Sequence, residues 1–202
     1  MLAPDAMPLD KVPQGPVTSF GCRVEDSWID FNDHMNAMYY GIVVYRGQAE
    51  FSALIGMGGD YVDRTGLGKV VVQSSLGYER EVRRGDELEV RSWLLGADDK
   101  RIHVLHEVFS LGTQRRVAVG EQLDLHFDLT SRRSCPISAE QRYYLTEFAR
   151  IQTAAGLPDG IGRTVRGPAL RSAPVVSAGT AELGPRRAVG PGPGWSQPRL
   201  NG

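Results

Sequence analysis

Apolar side chains recur at helical spacing from Met38 onward: Met38, Ile42, Tyr45, Ala49 and Ala53 stand four, three, four and four residues apart. An α-helix repeats every 3.6 residues, so this pattern predicts a long helix over about 36–56 with that stripe buried. Asn32, Asp33 or Asn36 can cap its start, and Gly56, Gly58 and Gly59 mark its end. Gly41 and Gly47 lie inside it, where a missing Cβ lets another element approach closely. Residues 60–69 are polar and Gly-containing, a predicted loop. The period then shortens to two. Val70, Val72, Ser74, Leu76 and Tyr78 share one face of a strand ending near Glu81, and Leu88, Val90, Ser92 and Leu94 share a face of the next. A strand over 101–109 sets Ile102, Val104, His106 and Val108 against His103, Leu105, Glu107 and Phe109. In the one after it Val117, Val119, Glu121, Leu123, Leu125 and Phe127 share a face. Val17–Val24 forms a first strand, and Ser138 with Gln141 reads as a capping box for a short last helix carrying Tyr144, Leu145, Phe148 and Ile151. Strands joined by tight turns imply an antiparallel sheet, and the long helix must bury its stripe against it. The predicted fold is α+β, in two layers.

Charge divides the chain at about residue 152. From Thr153 to Gly202 there are six Arg against Asp159 and Glu182, a net +4, which leaves −5 for residues 1–152 and −1 overall. That segment also holds ten Gly and seven Pro without periodicity. It cannot bury enough apolar surface to offset its ordering entropy, so one domain over 15–152 and a disordered Gly/Pro/Arg-rich tail over 153–202 are expected. Near-neutral overall charge gives no footprint for nucleic acid or a membrane surface. Cys22 and Cys135 match no metal or redox spacing, no apolar run approaches membrane-span length, and the N-terminus lacks signal-peptide character. A cytoplasmic location is the expectation. His103 and His106 lie three apart on a strand and so point to opposite faces, which argues against a metal site.

The chemistry concentrates just ahead of the long helix, in Trp28-Ile-Asp30-Phe-Asn32-Asp33-His34-Met-Asn36 followed by Tyr39-Tyr40. Asp30 is a carboxylate near a helix N-terminus, flanked by aromatic residues and followed by a His and an Asn. Its bland alternative is a loop cap. With Tyr78-Glu-Arg80-Glu81, Gly85-Asp86-Glu-Leu88, Asp99-Lys100-Arg101-Ile-His103 and Glu121-Gln-Leu-Asp-Leu125-His126, this segment resembles the hotdog-fold acyl-CoA thioesterases of the 4-hydroxybenzoyl-CoA thioesterase type. Within them it is more similar to the betainyl-CoA thioesterases of carnitine degradation. The likeness covers roughly 18–150. Asp33 departs from it, since such proteins usually have Gly there.

The resemblance implies an antiparallel sheet wrapped around one central helix and an active site at a homodimer interface, with dimers able to pair into tetramers. Asp30 takes the position of the acidic catalytic residue, and His34 and Asn36 the polar positions at the helix start. Thioester hydrolysis needs a nucleophile or base and a sink for the developing oxyanion. Asp30 can attack or activate water, and a helix N-terminus offers partial positive charge. The leaving thiolate, with a parent pKa of about 8.5, needs no strong acid. CoA belongs to the substrate, so no separate cofactor is expected. Lys100, Arg101, Arg132 and Arg133 are the candidates for its phosphates. Trp28, Tyr39 and Tyr40, with Phe31 and Trp93, are candidates to line an acyl pocket, and a quaternary ammonium such as betainyl would suit aromatic faces. Glu121, on an apolar strand face, demands a partner, an Arg being the expected one. Rival readings are a hotdog hydratase or dehydratase and a non-enzymatic acyl-CoA-binding module.

Overall fold

A computed structural model describes residues 5–158 and Val165. The chain runs β1 (Val17–Arg23), α1 (Ala37–Leu54), α2 (Gly59–Thr65), β2 (Leu67–Tyr78), β3 (Glu87–Ala97), β4 (Arg101–Ser110), β5 (Arg115–Asp128), β6 (Arg133–Ser134) and α3 (Ala139–Gln152). Its strands form one antiparallel sheet in the order β1-β3-β4-β5-β2, with the short β6 paired to the end of β5. The tail expected to be disordered lies, from residue 159 on, outside the described residues except for Val165, which is fully buried.

The strand-face pattern survives in β3 and β4, breaks in β5 at Val117, which joins the inner cluster beside Ala118, and fails in β2. Leu88, Val90, Ser92 and Leu94 all turn inward and are essentially unexposed. Cα pairing then sets Ile102, Val104, His106 and Val108 on that same inner face, opposite Asp124, Gln122, Gly120 and Ala118 of β5. In β2 a register shift between Val71 and Gln73 breaks the alternation, leaving Val71 and Val72 both about half-exposed. The strand also starts three residues earlier than expected and stops at Tyr78 rather than near Glu81. Within the predicted 60–69 loop, residues through Thr65 instead make α2, closed by Gly66 in the left-handed conformation.

The long helix has the predicted extent and a different buried face. Tyr40, Val43, Val44, Gly47, Gln48, Phe51 and Ser52 face the sheet, whereas Met38 and Tyr45 of the expected stripe are 63% and 67% exposed. Close packing explains the difference. A Cβ on Gly47 would stand 2.5 Å from Val90 Cγ1, and one on Gly120 2.8 Å from Val44 Cγ1, so small residues hold the contact line where helix and sheet approach most closely. Two clusters fill the space between the layers. One gathers Phe51 and Ile55 of α1 with Leu94, Ile102 and Val104 of the sheet and Tyr144, Leu145 and Phe148 of α3. The other places Trp28, Met35 and Tyr40 with Val43, Val44, Val90 and Val108. Ser138 caps α3 by accepting the Gln141 N–H, but the Gln141 side chain donates to the Ile55 carbonyl instead of closing the box, tying α3 to the end of α1.

Candidate active site

The loop before α1 closes on itself. Ile29 bridges Met35, the Asp30 amide donates to the His34 carbonyl (3.1 Å), and the Asp33 amide donates back to the Asp30 carbonyl (3.0 Å). This tight reversal puts Asp33 at φ 61°, a left-handed conformation that Gly adopts freely and Asp tolerates through its short polar side chain. The departure at this position therefore keeps the turn. Below the loop, the Met35 amide donates to the Val82 carbonyl and the Asn36 amide to that of Trp28, anchoring the turn to the hydrophobic cluster.

Asp30 projects from that frame with its side chain 16% exposed, next to the His34 side chain at 34%. Its Oδ1 accepts the Asn32 amide at 2.8 Å and stands 3.9 Å from His34 Nδ1, too far for a hydrogen bond. The carboxylate is thus both a turn cap and a partly covered acid. Asn36 is the N-cap of α1: its Oδ1 accepts the Met38 amide at 2.9 Å, and its carbonyl accepts that of Tyr39. Asn36 therefore caps the helix it opens, and two amides of the first turn are engaged. Among the described residues, the Ala37 amide has no such acceptor.

The aromatic candidates divide into separate groups. Trp28 and Tyr39 stack with centroids 5.2 Å apart and planes 13° from parallel. Tyr40 is buried, meets Tyr78 edge-on and donates its hydroxyl to the Arg80 carbonyl at 3.0 Å, and burial raises its pKa. Phe31, at the loop tip, is 95% exposed. Trp93 lies on the other face of the sheet, so it joins no pocket with Trp28.

The four proposed phosphate cations gather at the opposite end of the sheet. The β3–β4 turn lines an open groove of about 520 Å³ with Asp98, Asp99, Lys100, Arg101 and Leu125. The β5–β6 turn, carrying Arg132 and Arg133, is joined to it where the His126 amide donates to the Lys100 carbonyl and the Cys135 amide to that of His126. Arg101 is largely committed within its own turn, donating through Nε and Nη2 to Asp98 Oδ2 at 2.9 and 2.5 Å. Burial pushes the Asp98 carboxyl up, but Arg101 and the turn amides outweigh it and hold the acid below its usual range. Arg132 lies over the Phe127 ring at 5.3 Å. From the Asp30 loop, beside the start of β3, to this groove past its end is about 30 Å at 3.3 Å per strand residue. One chain does not bring the acid and the cations together.

Several buried polar groups escaped the sequence reading. On the inner face Asp124 accepts both Gln48 Nε2 (3.0 and 2.9 Å) and Lys69 Nζ (2.6 Å), while His106 Nδ1 meets Ser92 Oγ at 2.8 Å. Burial, helped by the Lys69 charge, lowers the His106 pKa to about 3, so this imidazole is neutral. On the outer face Glu121 meets a histidine, His103 Nε2 standing 2.8 Å from Oε1. Glu107 accepts Trp93 Nε1 at 2.8 Å and Arg116 Nη1 at 2.7 Å. His103 and His106 do point to opposite faces, and no group of potential metal ligands forms among the described residues. Gln48 and Asp124 meet through folding alone, 76 residues apart, and no local pattern announces such a pair.

A curled antiparallel sheet half-wrapped around one long helix is the hotdog architecture, and solved structures bear this out. A proposed thioesterase of Pseudomonas putida KT2440 superposes with a TM-score of 0.62 at 26% identity, over 76% of this chain and 97% of its own. A Staphylococcus aureus protein solved in complex with CoA shares the fold, with a TM-score of 0.66 at 17% identity over 76% and 98% of the two chains. In sequence, the betainyl-CoA thioesterase of Pseudomonas aeruginosa is 30% identical over 155 residues, 77% of this chain and 98% of its own. The L-carnitine dehydrogenase/betainyl-CoA thioesterase of Ruegeria pomeroyi is 26% identical over 76% of this chain and 31% of that longer protein. Residues 24–145 match the model of the thioesterase-like superfamily. The chain belongs to that superfamily and is by membership a thioester hydrolase.

Proposed function

We propose that this protein hydrolyses a short acyl-CoA, a cationic acyl group of the betainyl type being the preferred case, to the free acid and CoA, with Asp30 as nucleophile or general base. The observation that carries the reading is the Asp30 carboxylate, largely covered and aimed by its own turn beside the start of α1. Because Oδ1 is held by the Asn32 amide, the reacting atom is Oδ2. In one route Oδ2 adds to the thioester carbon, the C–S bond breaks to release CoA thiolate, and water hydrolyses the resulting anhydride. In the other, Oδ2 takes a proton from water as the water oxygen adds to the same carbon, and the tetrahedral adduct then breaks its C–S bond to release CoA thiolate and the free acid. The oxyanion is met by the positive end of α1 and the Ala37 amide. His34 orients the substrate beside the acid. Tyr39, backed on one side by Trp28, presents its other face to a quaternary ammonium.

The separation of about 30 Å along β3 supports a site shared by two protomers, the acid from one and the cationic groove from its partner. The exposed Met38 and Tyr45 on α1 and the half-exposed Val71 and Val72 on the edge strand β2 fit a homodimer contact. A CoA-release assay over betainyl-, short-chain, long-chain and aromatic acyl-CoAs tests the activity, and a panel flat throughout would leave a binding module. Asp30→Asn keeps the shape and should lower kcat by about 10²–10⁴-fold; rates equal to wild type would discard the assignment. Mixing Asp30→Asn with a charge-reversed Lys100→Glu chain should restore activity above either parent if the two halves come from different protomers.

A further inference from the structure

Every described helix lies on one face of the sheet. Phe51 of α1 and Leu145 and Phe148 of α3 share a cluster with Leu94, Ile102 and Val104, and Tyr61 of α2 bonds His126, which pairs with Lys69 on the same side. Yet the middle of the outer face is nearly dry as well. His103 and Leu105 are 0% exposed, and Leu95, Glu121 and Leu123 only 5–6%. A bare sheet face leaves such side chains wet, so something covers it.

Val165 is the described residue that matches. It is 0% exposed although it lies in a Gly/Pro/Arg-rich stretch with no apolar periodicity of its own. The chain also leaves α3 at the right place. β1 pairs with β3 only as far as Ser92, and beyond that point Gln152 takes over the strand edge: its Oε1 accepts the Leu94 amide at 2.6 Å, and its Nε2 donates to the Ser92 carbonyl at 3.1 Å. Val165 lies seven residue steps beyond Pro158, a reach of about 23 Å, while β3 to β5 spans two strand spacings, about 10 Å. Charge agrees as well: the Glu121 carboxylate lies on that face, and Val165 stands between Arg163 and Arg166 in the sequence.

We infer that Val165 seats on the outer face over β4 and β5, at His103, Glu121 and Leu123, so that the chain beyond α3 supplies the second layer of that face. This makes the tail's first part an intramolecular partner of the domain, and it stands independently of the enzymatic reading.

Thiol labelling of the full chain tests it. In a Cys22→Ser/Cys135→Ser background, Val165→Cys should react about tenfold more slowly, or slower still, than a reference thiol introduced by Ala178→Cys, because reagent must wait for local opening. Ser75→Glu, which adds charge at the partner position of Glu121 on the outer face, should abolish that protection. Leu123→Asn is a second disruption from the sheet centre, with circular dichroism confirming that either variant remains folded. Equal labelling at 165 and 178 overturns the inference. So does protection that persists in both folded outer-face variants, or that falls on dilution, which would point to a second copy as the covering element.

Discussion

His103 and His106 stand three residues apart in β4 and are both fully buried, yet their surroundings have opposite character. His106 faces the helix, hydrogen-bonds a serine and lies near the Lys69 ammonium, so it stays neutral far into acid. His103 faces outward against the Glu121 carboxylate, beside a face on which Trp93, Glu107, Arg116 and Glu79 are chained by hydrogen bonds and ion pairs. Burial is common to both positions; what differs is the charge each one faces, and a pleated strand changes that at every residue.

The inner face depends on one desolvated ion pair, and the sharpest way to break the comparison is there. Asp124→Ala removes the acceptor of both Lys69 and Gln48 and strands a largely buried ammonium. Chemical denaturation should show a loss of about 3–5 kcal/mol. A loss below 1 kcal/mol would mean that the pair is wet in solution.

His106 gives a pH signature. Its folded pKa, about 3, lies below the unfolded value near 6.5, so the unfolded chain binds the extra proton between them. Its contribution to stability is complete above pH 6.5 and is lost as pH falls towards 3, at up to about 1.4 kcal/mol per unit. His106→Gln should flatten that part of the stability profile, and an unchanged acid limb would refute the assignment.

Gly47 probes the tightness of the helix–sheet contact that defines the inner face. Gly47→Ala gains helix propensity of about 0.5–1 kcal/mol but drives a methyl into Val90, at an overpacking cost of about 1–3 kcal/mol. A net fall in Tm is expected, and a rise would show that the layers can separate without cost.

Legibility followed the range of the forces. The faces of β3, β4 and most of β5 were readable because alternation is local; the exception is Val117, displaced where the β4–β5 pairing slips after Val108. The β2 face was not, because the bulge near Val72 is set by pairing with β5. The stripe on α1 was misread because Gly47, Gln48 and Ser52 look polar or small, and their burial follows from how closely Val90 and Asp124 come. At the candidate site Asp30, His34 and Asn36 were all identifiable from the segment. That Asn36, among the three candidates, is the cap, and that the Lys100 groove lies at the far end of the sheet, could only be seen once the chain was folded.

What the residue order determined on its own was what neighbours within a turn or a strand decide: the long helix, the two faces of β4, and the acid presented just ahead of that helix. Tertiary structure decided which helix face is inside, that Glu121 meets a histidine, and that Asp30 and the basic groove stand apart. Those outcomes depend on contacts between residues tens of positions distant, and packing and desolvation act on them only after the layers have closed.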